Sequence, residues 1–343
     1  MVKAAPIRRL AAAFSLLLFP GVGNAADQAL IDAAKHDGQV TWYTTQIIDQ
    51  FARPAAEAFE KKYGIHVDYV RANSGDISLR ILNEGAAGKL QADVIDGIAS
   101  AQALEKAGFI LEWQPETATH LGKQFLDPAG YWTATNLYVM TPGYNTDMIK
   151  AGTEPKSYDD LLDPKWKGKI AWSAPPTYEA PDFIGLMLAA MGEDKGLAYL
   201  KKLAKQNIIG VDGSSRQVLD EVIAGEFPLA LMIFNHHTII SAAQGAPCAW
   251  IPMQPALAEL SVMSVTQGGP HPAAGKLLVD FLTSSEGQRL FRDAGYIPVD
   301  PDVPPTHPEL RPDGEKFKAI YMTPEELQSS LPAWQKIYRD YFQ

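Results

Sequence analysis

The stretch QVTWYTTQIIDQFARPAAEAFEKKYGIHVDYVRA, residues 39 to 72, reads as a strand, a helix and a second strand. The two ends, QVTWYT (39 to 44) and HVDYVRA (66 to 72), are short runs rich in β-branched and aromatic residues, as is typical of strands. The segment between them, PAAEAFEKKYG (54 to 64), has helical spacing and ends on a glycine placed as a C-cap. Two strands joined by one helix form a βαβ unit, which predicts a parallel pair.

The same alternation continues along the chain and begins again in its second half. We predict further strands and helices at ISLRILNEGAAG (77 to 88), ADVIDG (92 to 97), KIAWS (169 to 173), FIGLMLAAMG (183 to 192), GLAYLKKLAKQ (196 to 206), NIIGVDG (207 to 213), 215 to 224 and PLALMIF (228 to 234). A chain of 343 residues exceeds what one hydrophobic core usually organises. The sequence therefore predicts an α/β protein of two lobes with open, mostly parallel sheets.

Two long extended segments lie between these halves, ATNLYVMTPGYN (134 to 145) and ELSVMSVTQ (259 to 267). They are placed to cross from lobe one to lobe two and back. We predict that 27–135 plus 263–300 form lobe one. Lobe two is then 136–262 plus 301–343, whose proline-rich start we interpret as an ordered surface connection and whose end, from about Pro324, is helical.

The first 26 residues have the pattern of a secretory signal peptide, with Lys3, Arg8 and Arg9 before an apolar run and small residues at its end. Three of the 30 basic residues and none of the 40 acidic ones lie there, so the rest of the chain carries 27 minus 40, a formal charge of −13. Nucleic acid is therefore an unfavourable partner. Cys248, the single cysteine, is expected to be a buried structural thiol, and with no cysteine near the cleavage site we predict a periplasmic protein without a lipid anchor.

Sequence signatures of catalysis are absent. No G-x-S-x-G elbow, H-E-x-x-H motif or G-x-x-x-x-G-K-[ST] loop occurs, so we predict no catalytic residues, no cofactor and no enzyme. A periplasmic hydrolase whose residues come from distant positions remains an alternative of another class.

Polar side chains recur where predicted strands end, and several directly precede a helix. Such turns offer free backbone N–H groups, hydroxyls and the positive end of a helix dipole, although ordinary N-capping explains a single one equally well. Ligands collect at the carboxyl ends of strands in open α/β sheets. The candidate ligand-binding residues are Thr44, Thr45, Ser74, Gly75, Asp76, Ser100, Ser173, Ser214, Ser215, Arg216, Asn235, His236 and His237.

Three segments resemble the solute-binding proteins of bacterial ABC importers: LLDPKWKGKIAWSAP (161 to 175), GSSRQVLDEVIAGEFPLAL (213 to 231) and HPAAGKLLVDFLTSSEGQRLFRDAGYIPV (271 to 299). The resemblance runs from about Gln39 to Val299 and is to the group with ferric-ion-, aminoethylphosphonate- and sugar-phosphate-binding members. It implies the type II periplasmic-binding-protein fold, with a ligand cleft between two lobes and two hinge crossings. It also implies a monomer that closes on a small molecule and delivers it to a permease in the inner membrane.

The ferric-binding members of that group hold the metal with two adjacent tyrosines and a histidine, and this sequence differs at both places. His236 and His237 stand where the tyrosines align, and Ile47 stands near where the histidine aligns. Phenolate oxygen suits Fe(III), whereas neutral imidazole suits borderline metals such as zinc, copper or ferrous iron.

Two hypotheses about the ligand follow. In the first, a small organic anion, a phosphonate, phosphorylated compound or carboxylate, rests against the helix starts at Ser74-Gly75 and Ser214-Ser215, with Arg216 as a charge partner. In the second, His236 and His237 bind iron or another transition metal. In the first hypothesis, Tyr43, Trp172 and Tyr178 are candidates to pack on an organic portion of the solute. In the second, Asp76, Tyr138 and Glu179 are further candidate metal ligands. A histidine with a pKa near neutrality would make the affinity depend on pH.

Overall fold

The computed structural model describes Met1 and residues 27–98, 101–174, 179–312 and 317–343. The predicted signal peptide, apart from Met1, and the candidates Ser100 and Tyr178 lie outside the described residues. The strands of the described part are β1 Gln39–Thr44, β2 His66–Arg71, β3 Val94–Gly97, β4 Thr133–Asn145, β5 Ile170–Ser173, β6 Ile209–Val211, β7 Leu229–Phe234, β8 Cys248–Trp250, β9 Ala256–Val265, β10 Ile297–Pro298 and β11 Ala319–Met322.

The helices of the described part surround this sheet. They are α1 Gln28–Asp37, α2 Arg53–Tyr63, α3 Ser74–Ala86, α4 Ala101–Lys106, α5 Glu179–Met191, α6 Glu193–Leu203, α7 Ser215–Ala224, α8 Asn235–Ala243, α9 Pro272–Thr283, α10 Ser285–Asp293 and α11 Pro324–Phe342. Short 3-10 or π-helical turns occur between several of these elements.

One continuous sheet has the strand order β2-β1-β3-β9-β4-β7-β5-β6, with β8 and β10 paired to β4 and β11 paired to β9. The pairs β1–β2, β1–β3, β5–β6 and β5–β7 are parallel, as the βαβ pattern predicts. The central pairs β3–β9, β4–β9 and β4–β7 are antiparallel. The expectation of mostly parallel sheets therefore holds within each half-sheet. The two long shared strands β4 and β9 are antiparallel to each other and to the half-sheets they join, while β11 is parallel to β9.

Two hydrophobic cores lie on one face of the shared strands, and a third lies on the other. Core A is built on 34–94 and 263–296 with Tyr138, and core B on 140–257 with residues of β11 and α11. Core C covers the opposite face with residues from 101–139, 256–262 and 297–317. The lobe boundaries at 135/136 and 262/263 stay a prediction.

The C-terminal helix α11 packs on α5, in agreement with the predicted position outside a lobe. Its Trp334 ring lies so close to Gly185 that a Cβ at that position would overlap the indole. Only glycine permits this approach of the two helices. In the proline-rich segment before α11, Val303 and Leu310 are buried.

Candidate functional site

The shared strands carry a row of polar side chains in the middle of an otherwise apolar face. Asn136 is paired with Ser261 and Tyr138 with Glu259 across the antiparallel β4–β9 ladder. Paired residues of such a ladder, and residues two apart along a strand, lie on one face of the sheet. We call these four residues the polar floor, and all four are buried. Apolar residues of core B lie at one end of it and of core A at the other.

Gln46, just past the end of β1, covers one half of the polar floor. Its side-chain nitrogen donates to Asn136 Oδ1 at 3.4 Å and to Ser261 Oγ at 3.3 Å. Its side-chain oxygen accepts from the Tyr138 hydroxyl at 3.3 Å. One amide thus satisfies both its donor and its acceptor on the floor, which fixes the position of the β1 end above the shared strands.

Asp96 organises the ends of β1 and β3. Its carboxylate accepts hydrogen bonds from Thr44 Oγ1 at 2.5 Å, Thr45 N at 2.7 Å, Thr45 Oγ1 at 2.6 Å and Trp42 Nε1 at 2.8 Å. Burial raises the pKa of Asp96, while the threonine hydroxyls and amide stabilise its ionised form. The predicted ligand residues Thr44 and Thr45 therefore direct their donors to this internal carboxylate.

A bulge in β7 changes the direction of the chain before the Asn-His-His segment, residues 235 to 237. Two residues of β7, Leu231 and Met232, stand opposite Pro142 of β4, and Met232 has a positive φ of 53°. Proline has no N–H to give to the ladder, and a non-glycine residue in this conformation is strained. The strand turns here, and α8 begins three residues later at Asn235.

His236 lies at the junction of cores A and B. Its ring centroid is 5.8 Å from that of Tyr138, 5.2 Å from that of Tyr296 and 4.4 Å from that of His237. Phe234 packs against both cores, as does Ile98. Among the described residues neither ring nitrogen of His236 has a hydrogen-bond partner, although the residue is 0% exposed. A neutral imidazole carries one N–H and one acceptor, so this leaves a buried donor without a partner.

Both imidazoles are held neutral. Burial, the neighbouring His237 and Arg216 keep the pKa of His236 well below its usual range. Burial and Arg216 lower the pKa of His237 to about 3. The expectation of an imidazole titrating near neutrality was wrong, because the rings are buried beside a guanidinium.

The helix starts named in the anion hypothesis already have internal partners. At α3 the capping residue is Asn73, whose Oδ1 accepts from Asp76 N at 2.9 Å. At α7, Ser214 N donates to Gln217 Oε1 at 2.8 Å. The next amide, Ser215 N, donates to Glu179 Oε1 at 3.2 Å. In contrast, α8 begins after Phe234 with no side-chain cap.

Other candidates have positions that the fold explains. The hydroxyl of buried Ser173 donates to Glu179 Oε2 at 3.2 Å. Arg216 pairs with Asp220 at 2.6 Å and donates to Ser241 Oγ at 3.0 Å. Asn235 is buried, and its side-chain nitrogen donates to the Leu310 carbonyl at 2.9 Å, on the core C side.

Tyr43 and Trp172 are internal. The Tyr43 hydroxyl donates to Glu84 Oε1 at 2.8 Å, and Trp172 packs against Phe183, Tyr338 and Phe342. Neither ring is free to pack on a solute. Cys248 is buried as predicted, and burial raises the pKa of its thiol.

Of the further candidate metal ligands, Tyr138 lies beside His236, whereas Asp76 is bonded to Asn73 and Glu179 to Ser215. Within 27–98, 101–174, 179–312 and 317–343 no group of three His, Cys, Asp or Glu side chains is arranged to hold a metal ion. Adjacent residues of a helix project about 100° apart, so the side chains of His236 and His237 leave α8 in different directions.

Sequence reasoning did not single out Gln46, Asp96, Asp182, Glu259 or Tyr296 as ligand-site residues. Signals existed for two of them: Asp182 interrupts the apolar helix α5, and Glu259 interrupts the apolar strand β9. A carboxylate in an apolar element needs an explanation. Tyr296 gives no such signal. Its hydroxyl accepts from the Ile47 backbone N–H, and burial raises the pKa of Tyr296 to about 12.

Polar groups from two half-sheets meet over the middle of two shared strands, the kind of place where open α/β sheets bind ligands. The family model for bacterial extracellular solute-binding proteins matches residues 54–319. The chain belongs to this family, and it is a periplasmic solute-binding protein of an ABC transporter. The predicted fold class is confirmed.

Similarity to individual proteins spans most of the chain. A periplasmic protein of Salmonella typhimurium, assigned as 2-aminoethylphosphonate-binding, is 29% identical over 325 residues, 88% of this chain and 85% of that protein. The structure of AfuA from Actinobacillus pleuropneumoniae with fructose-6-phosphate has a TM-score of 0.75 at 25% identity, covering 89% of this chain and 98% of that one. Iron-bound HitA from Pseudomonas aeruginosa has a TM-score of 0.72 at 22% identity, covering 89% and 99%.

None of the helices in the described part of the chain is both long enough and apolar enough to cross a membrane.

Proposed function

We propose that this protein captures a small organic anion, a phosphonate, phosphorylated compound or carboxylate, and that closure of the lobes over the polar floor delivers it to an ABC permease. The chemistry at the site is binding, and the solute leaves unchanged. The similarity to proteins named for 2-aminoethylphosphonate and crystallised with fructose-6-phosphate supports an anionic group on the solute.

One observation carries the proposal: His236 is buried with no partner for either ring nitrogen among the described residues. Leaving a buried donor unpaired costs about 1 to 3 kcal/mol. An oxygen of the solute removes that cost by accepting from the imidazole N–H. His237 supports the same role, since its Nδ1 also has no partner in the described part of the chain.

The start of α8 supplies the electrostatic attraction. Its first-turn N–H groups have no side-chain cap, and the positive end of a helix dipole favours an anion. Arg216 lies near enough to lower the pKa of both histidines. We therefore place the anion at α8, whereas the starts of α3 and α7 are occupied by Asn73 and Glu179.

The test is a thermal-shift screen of the purified protein against phosphonates, sugar phosphates, carboxylates and metals with and without citrate. A solute at a hundred times its dissociation constant adds about 2.7 kcal/mol to the free energy of unfolding. The decisive variant is His236→Phe, which keeps an aromatic ring in the cluster and removes both nitrogens. His36→Phe, at an exposed histidine of α1, is the control.

We expect an organic anion to raise the unfolding midpoint of the wild type and of His36→Phe, and to lose at least tenfold in affinity for His236→Phe. Equal affinity for His236→Phe and the wild type would refute the role of the imidazole. A shift with metals alone, lost in His236→Phe, would replace the anion by a metal.

A further inference from the structure

Three carboxyl groups meet at the end of the polar floor nearest core B. Glu179 and Asp182 belong to the first turn of α5, and Glu259 belongs to β9. Asp182 and Glu259 are each 3% exposed, and their carboxyls form a hydrogen-bonded pair. The charge of Glu179 acts on both. We call these three residues the acidic group.

The hydrogen bonds of the acidic group are incomplete. Glu179 accepts from Ser215 N at one oxygen, and the Ser173 hydroxyl, which also binds the Gly213 carbonyl, lies 3.2 Å from the other. Glu259 Oε1 has no partner among the described residues. Ser215, which is 1% exposed and whose amide binds Glu179, has a hydroxyl that is likewise without a partner there. A buried carboxylate oxygen of Glu259 and the buried hydroxyl of Ser215, whose amide binds Glu179, are thus left for an external group.

No cation of the chain compensates this group. Within the described residues none of its members forms an ion pair with Lys, Arg or His, and no basic group contributes to the pKa of Asp182 or Glu259. The nearby Arg216 is paired with Asp220. A buried ionised carboxylate is costly unless it is paired, so the Asp182–Glu259 pair keeps a proton, which an incoming positive charge can replace.

The acidic group and the anion end of the site share one floor. Glu259 stands directly opposite Tyr138 in the ladder, where Cβ atoms are about 5 Å apart. On its other side the Tyr138 ring lies 5.8 Å from the His236 ring. The acidic group and His236 are therefore separated by one aromatic side chain, a distance on the order of 10 Å that a short molecule with opposite charges at its ends can bridge.

We infer that Glu179, Asp182 and Glu259 form the subsite for a protonated amine of the solute, with the unpaired Ser215 hydroxyl and Glu259 Oε1 as its hydrogen-bond acceptors. The inference rests on the proposed function, because it gives the captured anion a second, cationic end. An ammonium fits better than a metal ion, since no group of three metal-ligating side chains is arranged for coordination in the described residues. The solute class is then a small zwitterion, an aminoalkyl phosphonate or amino acid.

Two pairs of probes that differ only in the amine test this inference: 2-aminoethylphosphonate against ethylphosphonate, and β-alanine against propionate. Affinities are measured by titration calorimetry with the wild type, Glu259→Gln and Asp182→Asn. The matched control is Glu226→Gln, at an exposed glutamate of the loop after α7. A hydrogen bond to a charged group changes affinity by about 10- to 100-fold.

We expect the wild type and Glu226→Gln to bind one amine-bearing probe at least tenfold more tightly than its partner without the amine. The preference should fall below about threefold in Glu259→Gln and in Asp182→Asn. At pH 7 the amine should also expel the proton that the carboxyl pair shares, so that the binding enthalpy changes with the ionisation enthalpy of the buffer in the wild type and less in Glu259→Gln.

Each other outcome is decisive. If the wild type binds both members of a pair equally, the amine subsite is wrong and the proposed function stands. If Glu259→Gln and Asp182→Asn keep the full preference, another group recognises the amine and the inference is wrong. If none of the four probes binds and the screen finds an organic anion without an amine, the amine subsite is wrong and the proposed function stands. If the screen finds no organic anion at all, the proposed function itself fails.

Discussion

Replacing Glu259 by Gln should reduce the loss of stability that the wild type shows as the pH rises from about 5 to about 8. Glu259 is 3% exposed beside Asp182, and burial together with the charge of Glu179 raises its pKa from 4.5 to about 8. The folded protein therefore keeps a proton that the unfolded chain releases above pH 4.5. The stability that this proton confers is present in full below pH 4.5 and is lost as the pH rises through 8.

The magnitude follows from the pKa difference. One pKa unit corresponds to about 1.4 kcal/mol, so between pH 5 and pH 8 Glu259 lowers the free energy of unfolding by about 3 to 4 kcal/mol. Glutamine has nearly the size of the protonated acid and cannot ionise, and its amide can donate to Asp182. The variant should thus resemble the wild type at pH 5 and be more stable than it at pH 8.

Urea unfolding and thermal unfolding at pH 5, 6, 7 and 8 measure the effect, with Glu226→Gln as the control. The difference in midpoint temperature between Glu259→Gln and the wild type should grow on the order of 5 °C over this range. Parallel curves for the two proteins would show that Glu259 ionises as an exposed glutamate does. The argument from the buried pair would then be refuted.

Three further predictions concern buried groups elsewhere. Asp96→Asn should lower the free energy of unfolding by about 2 to 3 kcal/mol in urea, because an amide N–H replaces an acceptor that receives four hydrogen bonds, and unchanged stability would contradict the network. The pKa of His237 is lowered to about 3, so below pH 6.5 the unfolded chain takes up a proton that the folded protein does not. This difference costs about 2 kcal/mol of stability between pH 7 and pH 5, and His237→Asn should remove that loss. Identical stability profiles of variant and wild type at acid pH would refute this. Cys248 should react with a thiol reagent about tenfold or more slowly in the native protein than in urea, and equal rates would show that the thiol is accessible.

The secondary structure followed the local sequence closely. QVTWYT was predicted at 39 to 44 and β1 is Gln39–Thr44, and the helix predicted at 215 to 224 is α7, Ser215–Ala224. These elements are set by hydrophobic period, caps and turn residues, which act between neighbours in the chain. The two long extended segments predicted at 134 to 145 and 259 to 267 correspond to β4 and β9.

The Asn-His-His segment, residues 235 to 237, stays a predicted ligand site, and the sequence did not reveal its surroundings. Its strand-end position could be read from the apolar run of β7, but the bulge opposite Pro142 depends on a partner strand far away in the chain. The low pKa of the histidines has the same origin, since burial comes from Tyr138 and Tyr296 of other elements. Sequence gives the residue type, and the surroundings set its protonation.

By itself the sequence determined the α/β class, most of the strand and helix positions between residues 39 and 234, the two long extended segments and the excess of negative charge. These properties depend on residue type and on spacing along the chain, which are visible without a structure. Only the tertiary structure decided which polar groups are already satisfied, so that Thr44 and Thr45 serve Asp96 while His236 and Glu259 Oε1 are left without a partner among the described residues. The physical reason is that hydrogen bonding and desolvation depend on what lies within a few ångströms in space, and folding brings those groups together from distant parts of the chain.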